Sequence, residues 1–155
     1  MCSSDLTSLK QALKTAKKIG ALKADLFPFH GKMVTIKEAN FLDIAGKLKI
    51  QAYFNLISKN QNKIEMFKAW LAYNGPVLTC LDCDESWFYV KKNGLLEKYI
   101  RNDDNAGHAM SIVGYTPTHF IIRNSWGTGW GDMGFAYASY DYAETAFKEA
   151  YGIVV

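Results

Sequence analysis

The sequence lacks any apolar run close to the ~18 residues that a membrane-spanning helix needs. It also lacks the basic and then apolar N-terminal stretch of a secretory signal peptide, so we expect no membrane partner. Low-complexity segments are absent, and hydrophobic residues make up 49% of the 155 positions against 21% for charged residues. This composition excludes disordered and fibrous classes and indicates one globular domain, or a large part of one.

The chain has little net charge, but the two halves differ in sign. The net charge is +3, whereas residues 1–74 hold 12 lysines against 5 acidic residues and residues 75–155 hold 6 basic against 10 acidic residues. A basic half can indicate a nucleic-acid partner. These lysines are spread over the predicted helix and strand faces, so we predict a solvated surface and no nucleic-acid binding.

The first six residues are interpreted separately from the rest. Met1–Leu6 resembles the in-frame translation of a widely used sequencing adapter, so we predict that residues 1–6 are an artefactual leader. Residues 7–155 then form the natural folded part. In the alternative, Asp5 or Thr7 is a natural N-cap of the first helix.

Hydrophobic periodicity predicts helices first and strands later. The predicted helices cover residues 9–19, ended by Gly20, and residues 61–73, ended by Asn74-Gly75-Pro76. The predicted strands cover residues 47–57, 77–82, 88–90, 109–115, 119–124, 135–139 and 152–155. This order indicates an α+β fold.

His108 and Asn124 are the candidate catalytic residues because a predicted hairpin brings them together. A hairpin centred on Pro117 places His108 opposite Trp126 and within two positions of Asn124. An amide that binds one imidazole nitrogen fixes the tautomer and directs the other nitrogen at a reacting group. Trp126 and Trp130 are predicted to cover this bond and exclude water.

These residues carry a resemblance to the papain-like cysteine peptidases. Gly107-His108-Ala109 resembles the family's catalytic histidine segment, and Asn124–Gly131 resembles the segment with the orienting asparagine. The resemblance implies that His108 transfers protons and that Asn124 orients it, with no metal and no organic cofactor. It also implies an incomplete papain-like domain over residues 7–155. Such a part would hold an antiparallel sheet or half-barrel with flanking helices, and would lack most of the helical subdomain that bears the nucleophile.

The family's nucleophile segment, Cys-Gly-Ser-Cys-Trp at the start of a long helix, has no match in residues 7–155. We therefore predict the C-terminal part of a cysteine peptidase that hydrolyses peptide bonds by thiolate attack and is inactive alone. The implied partners are a peptide or protein substrate and the missing N-terminal part of the same domain. The alternative is a non-catalytic papain-like domain that binds peptides.

Cys80 and Cys83 form a C-x-x-C pair, which can indicate redox or metal chemistry. In a strand, however, Cα atoms three residues apart lie ~10 Å from each other, and a disulfide needs ~4.4–6.8 Å. A zinc site would need a turn and two further ligands. We predict buried or pocket-lining thiols and rank a redox or metal module last.

The resemblance also implies a pocket for the substrate side chain two positions before the cleaved bond. Its implied lining residues are Cys80, Ala106, Gly107 and Ala109. Small residues predict an apolar and fairly roomy pocket. His30 and His119 have no partner motif, and we predict that each is structural or solvent-exposed.

Overall fold

The computed structural model describes residues 8–23, 25, 40–101 and 107–155. In these ranges the helices are α1 (Leu9–Lys18), α2 (Phe41–Gly46), α3 (Lys63–Tyr73), α4 (Glu85–Phe88) and α5 (Tyr140–Ala146). The strands are β1 (Ala52–Asn55), β2 (Val77–Asp82), β3 (Leu95–Leu96), β4 (Gly107–Tyr115), β5 (His119–Arg123), β6 (Phe135–Ser139) and β7 (Glu149–Val154). None of these helices has the length and apolarity that a membrane crossing requires.

The strands form one sheet in the order β1-β7-β2-β4-β5-β6-β3. All neighbours are antiparallel except β3 and β6. In the β4–β5 hairpin Ser111 pairs with Arg123 and Ile112 with Ile122, the register that the sequence predicts. The register then shifts before Gly114, which pairs with Ile121. The predicted pairing therefore holds in the half of the hairpin that leads to His108.

The main core lies on one face of the sheet, between the strands and helices α3 and α5. Alternation along β2 buries Val77, Thr79 and Leu81 on this face. The largest side chains of the core are fully buried and come from separate elements, among them Phe67, Trp87, Phe120 and Tyr142. Each such apolar side chain stabilises the fold by roughly 1.5–3 kcal/mol.

Helix α1 covers part of the opposite face. Its N-cap is Ser8, whose side chain accepts a hydrogen bond from Gln11 N at 3.2 Å, so the alternative caps Asp5 and Thr7 are wrong. Leu9 and Leu13 lie one turn apart and pack in a second cluster that includes Leu78, Cys80 and Tyr151. Gly20 follows the helix with a φ of 106°, as the sequence predicts, and a Cβ there would collide with the Ala45 carbonyl oxygen.

Several predicted elements differ from the observed ones. Residues 88–90 are not a strand, because the preceding helical turn α4 turns Trp87 into the core and leaves Phe88 exposed. Helices α2 and α5 and the two-residue strand β3 are not among the elements that the sequence predicts. The strand predicted over residues 47–57 is shorter in the structure, where β1 covers Ala52–Asn55. The strand predicted over residues 152–155 is β7, which begins earlier, at Glu149. His30 lies outside the described residues.

Candidate active site

His108 and Asn124 meet at the end of the β4–β5 pair. His108 is the second residue of β4, and Asn124 directly follows β5. The alternation that buries Phe120 and Ile122 continues to Asn124, which is only 9% exposed. The His108 Nε2 atom lies 2.7 Å from Asn124 Oδ1. This distance is within the hydrogen-bond range that the hairpin register predicts.

The backbone next to Asn124 fixes which way its amide faces. Ser125 N–H donates to Asn124 Oδ1 at 2.8 Å. Because a backbone N–H can only donate, the amide oxygen must face Ser125, and the same oxygen must accept from His108. The proton of the neutral imidazole is therefore on Nε2, and the lone pair is on Nδ1. The ring is in the tautomer that can accept a proton at Nδ1 from a reacting group.

Three indoles, those of Trp87, Trp126 and Trp130, form an aromatic wall beside this bond. The Trp126 ring lies 4.8 Å from the His108 ring and the Trp87 ring lies 5.6 Å from it, measured between centroids. Trp130 stacks on Trp87 at 5.1 Å, and its Nε1–H donates to the Trp87 carbonyl oxygen at 2.7 Å. Trp126 therefore contacts the His108 ring directly, whereas Trp130 packs on Trp87.

Burial sets the protonation of the histidine. It lowers the pKa of His108 below the ordinary value, and the hydrogen bond with Asn124 offsets part of this effect. His108 is thus a neutral base near pH 7.

A cavity of about 120 Å³ adjoins His108. It is lined by Ser8, Leu9, Cys80, Gly107, His108, Ala109 and Glu149. The Tyr151 hydroxyl donates to Glu149 Oε1 at 2.7 Å, and Cys80 Sγ donates to Glu149 Oε2 at 3.8 Å. The small lining residues predict an apolar pocket. The observed cavity differs from this prediction, because β7 brings the Glu149 carboxyl group to its lining.

Neither Cys80 nor His119 has the surroundings of a catalytic group. Burial, followed by the nearby Glu149, raises the pKa of Cys80 to about 11, so its thiol is protonated near neutral pH. Cys83 is buried. Across residues 8–23, 25, 40–101 and 107–155, no group of three or more His, Cys, Asp or Glu side chains is arranged to hold a metal ion. His119 lies at the far end of the hairpin, with Nε2 3.1 Å from Glu97 Oε1.

The family model for papain family cysteine proteases matches residues 2–153. The chain belongs to this family. A "Cysteine protease" of Blomia tropicalis is 26% identical over 132 residues, which are 82% of this chain and 38% of that protein. "Cathepsin F" of Mus musculus is 30% identical over 133 residues, which are 81% of this chain and 27% of that protein. The chain thus spans less than half the length of these curated papain-family relatives.

Solved structures share the fold. Xylellain, a cysteine protease from Xylella fastidiosa, superimposes with a TM-score of 0.78 at 22% identity. The superposition covers 96% of this chain and 62% of the xylellain chain. Digestive procathepsin L 3 of Tenebrio molitor larval midgut gives a TM-score of 0.74 at 19% identity, with 97% of this chain and 49% of that one covered. The fold is therefore papain-like, and the chain forms a sheet-rich α+β part of it.

The structure brings most of the predicted papain-family site residues together. His108 and Asn124 share one hydrogen bond beside Trp126. Cys80, Gly107 and Ala109 line the adjoining cavity. Ala106, which was assigned to the same pocket, lies outside the described residues.

Sequence reasoning missed Trp87 and Glu149. Trp87 directly precedes the predicted strand 88–90, and no direction is predicted for its side chain. The helix-starting residues Asp84, Glu85 and Ser86 before it are the available signal. Glu149 reaches the cavity only because β7 pairs with β2, where Glu149 lies opposite Cys80. No local pattern indicates that pairing.

Proposed function

We propose that this chain is the C-terminal part of a cysteine peptidase, in which His108 is the acid–base residue and Asn124 its orienting partner. The observation that supports this most strongly is the shared amide oxygen. Asn124 Oδ1 accepts from both His108 Nε2 and Ser125 N, which leaves the Nδ1 lone pair for a reacting thiol.

In the joined domain, the thiol would come from the missing N-terminal part. His108 Nδ1 takes the thiol proton, and the thiolate attacks the peptide carbonyl carbon. The imidazolium then gives its proton to the leaving amine as the C–N bond breaks, which produces an acyl-enzyme. Water, deprotonated by His108, hydrolyses the thioester and regenerates the thiol. Asn124 holds the ring in plane through both proton transfers.

The charge state of His108 supports a function that depends on both parts. Burial alone lowers the pKa of His108, so the isolated chain holds a neutral ring. A thiolate within ~4–6 Å would raise that pKa, and the resulting imidazolium would lower the pKa of the thiol. We infer that the ion pair forms only when the two parts join, and that the isolated chain is inactive.

The cavity beside His108 is the proposed subsite for a substrate side chain. Cys80, Gly107 and Ala109 line it, and we retain Ala106 from the sequence as a further lining residue. Glu149 adds a carboxyl group to this lining. We therefore propose that the subsite prefers a long side chain with a basic end over a purely apolar one.

The missing part of the domain is the proposed partner, and one face of the sheet is suited to receive it. Leu78, Ala109, Ser111, Arg123 and Ser125 line an open cavity of about 350 Å³ that we call the docking face. Asn124, which also lines it, has a buried Nδ2 with no hydrogen-bond partner among the described residues. An acceptor from the missing part would satisfy this atom.

The decisive experiment restores the upstream coding segment of the parent gene. The joined protein should cleave peptides, and its thiol should react with alkylating reagents at the start of the restored helix. His108→Ala should lower kcat/KM by ~10²–10⁴-fold or more, since it removes the general acid–base group. His119→Ala, a matched change at the far end of the hairpin, should leave activity unchanged.

Asn124→Ala should cost less than His108→Ala, because Asn124 orients the ring and transfers no proton. A joined protein that folds, carries the cysteine and cleaves no peptide would reject the peptidase and favour the peptide-binding alternative. An equal loss from Cys80→Ser would instead assign the chemistry to the C-x-x-C thiols.

A further inference from the structure

A buried series of hydrogen bonds runs from Asp84 through Tyr142 to the indole of Trp87. Trp87 Nε1–H donates to Tyr142 Oη at 2.8 Å, and Tyr142 Oη donates to Asp84 Oδ1 at 3.1 Å. Asp84 and Tyr142 are each 1% exposed, and Trp87 has no exposed surface. Because water does not reach these groups, the loss of any one bond leaves a buried polar atom unsatisfied.

The chemistry of the donors fixes the direction of this series. An indole N–H can only donate, so Tyr142 Oη accepts from Trp87 and must direct its own proton to Asp84. Burial raises the pKa of Tyr142, so the hydroxyl keeps that proton. Asp84 is fixed in turn, because its Oδ2 accepts from Ile100 N at 3.0 Å and its Oδ1 accepts from the Ser86 hydroxyl.

Trp87 is thereby anchored through both its side chain and its backbone. Tyr142 holds the indole nitrogen, and Trp130 donates to the Trp87 carbonyl oxygen. The held indole is steeply inclined to the His108 ring, at a centroid distance of 5.6 Å and an angle of 72°, and to the Trp126 ring, at 6.1 Å and 78°. Rotation of the indole would open the inner side of His108 to water.

We propose that Asp84 and Tyr142 are positioning residues that hold the Trp87 indole against His108, and so shield the Trp87-facing side of the imidazole from water and keep the ring directed at Asn124. This inference rests on the proposed function for its catalytic meaning. The physical link from Tyr142 to His108 can be measured without catalysis, in the 155-residue chain itself.

Other titratable groups surround His108 and stay unchanged in the test. Glu149 of β7 and Cys80 of β2 share its cavity. Asp82 of β2 lies next to the partner position of His108 in the sheet and is paired with Lys148, and Glu85 is exposed on α4. If the titration of His108 changes when Tyr142 is altered, the change therefore comes from the indole contact, because the charges near His108 are the same.

The test compares two Tyr→Phe variants in the same helix by NMR. Tyr142→Phe removes the acceptor of the Trp87 indole, whereas Tyr140→Phe removes a hydroxyl that donates to the Thr116 carbonyl. In Tyr142→Phe we expect the titration midpoint of His108 to rise by roughly half a pH unit, because water reaches the ring. The Nε2–H tautomer should become less populated, and the Trp87 indole proton should exchange at least ~10-fold faster. Tyr140→Phe should change none of these.

Two further variants keep the proposal falsifiable. Asp84→Asn should likewise speed exchange of the Trp87 indole proton and lower the population of the Nε2–H tautomer, by smaller amounts, and it serves if Tyr142→Phe does not fold. Because it also removes a carboxylate, the titration midpoint of His108 is compared only between the two tyrosine variants. In a Trp87→Phe background, Tyr142→Phe should have no further effect on His108, because the link is already broken.

The positioning role is overturned if Tyr142→Phe accelerates indole exchange and leaves His108 unchanged, or if Tyr140→Phe shifts His108 equally. These results are independent of peptidase activity. A reconstituted protein that is inert, together with an intact Tyr142 effect, would reject the proposed function and keep the positioning role.

Discussion

At the scale of single residues, the turn between Trp130 and β6 holds a strained position close to the site. Met133 has a φ of 51° and is the one non-glycine residue with a positive φ in the described ranges. Its side chain is 72% exposed and gains little from packing. The same turn contacts the site, since Gly134 O accepts from Asn124 N at 3.0 Å. The strain therefore lies in the segment that holds the backbone of Asn124.

Met133→Asn should increase the free energy of unfolding by about 0.5–1 kcal/mol. Asparagine tolerates the left-handed conformation that costs an ordinary side chain roughly 1–2 kcal/mol. Chemical denaturation of the 155-residue chain measures the effect. Leu42→Asn, which removes another exposed apolar side chain at a position of ordinary helical φ, should give no gain. Equal stabilisation by both variants would show that exposed apolar surface, and not the backbone angle, is responsible.

The candidate site could be predicted from sequence only where its parts are joined locally. His108 and Asn124 belong to one hairpin, so turn position and alternation are enough to bring them together. Trp87 and Glu149 reach the same place through α4 and through the pairing of β7 with β2. Those contacts depend on tertiary packing, which no local spacing encodes.

At the scale of elements, α5 links the site to the remote edge of the sheet. Its N-cap Ser139 accepts from Tyr142 N at 3.1 Å and donates to Glu97 O at 2.9 Å. The helix was missed in the sequence because its seven residues are too few for a clear periodicity. The strands 77–82 and 135–139, by contrast, were predicted with their observed ends, since alternating burial marks every position.

Ser139→Ala should lower the free energy of unfolding by about 1–2 kcal/mol, because it removes both the cap of α5 and the bond to Glu97. Ser139→Thr retains a capping hydroxyl and should recover most of the loss. Ser58→Ala, at an exposed position between β1 and α3, is the matched control and should be nearly neutral. Thermal unfolding monitored by circular dichroism measures all three. If Ser139→Ala matched Ser58→Ala, the cap would carry no stability.

At the scale of the whole molecule, the described residues cover the two faces of the sheet unequally. Among them, helices α3 and α5 pack on the core face, whereas α1 packs on the other face near Leu78 and Cys80. The docking face continues beyond α1 toward Arg123 and Ser125. The chain covers 62% of xylellain and 38% of the Blomia tropicalis relative.

If the docking face receives the missing part of the domain, one bulky charge there should prevent assembly without unfolding the chain. Ser111 lies on this face at the middle of β4, opposite Arg123. In the wild type, adding the N-terminal part as a separate polypeptide should reduce binding of a hydrophobic dye, because apolar surface is buried on assembly. Ser111→Arg should block that reduction and weaken association at least ~10-fold, since it places a second cation beside Arg123. Ser58→Arg introduces the same charge away from the face and should assemble like the wild type. Calorimetry measures the association. If the two variants bind the N-terminal part equally strongly, the partner lies on another surface of the sheet.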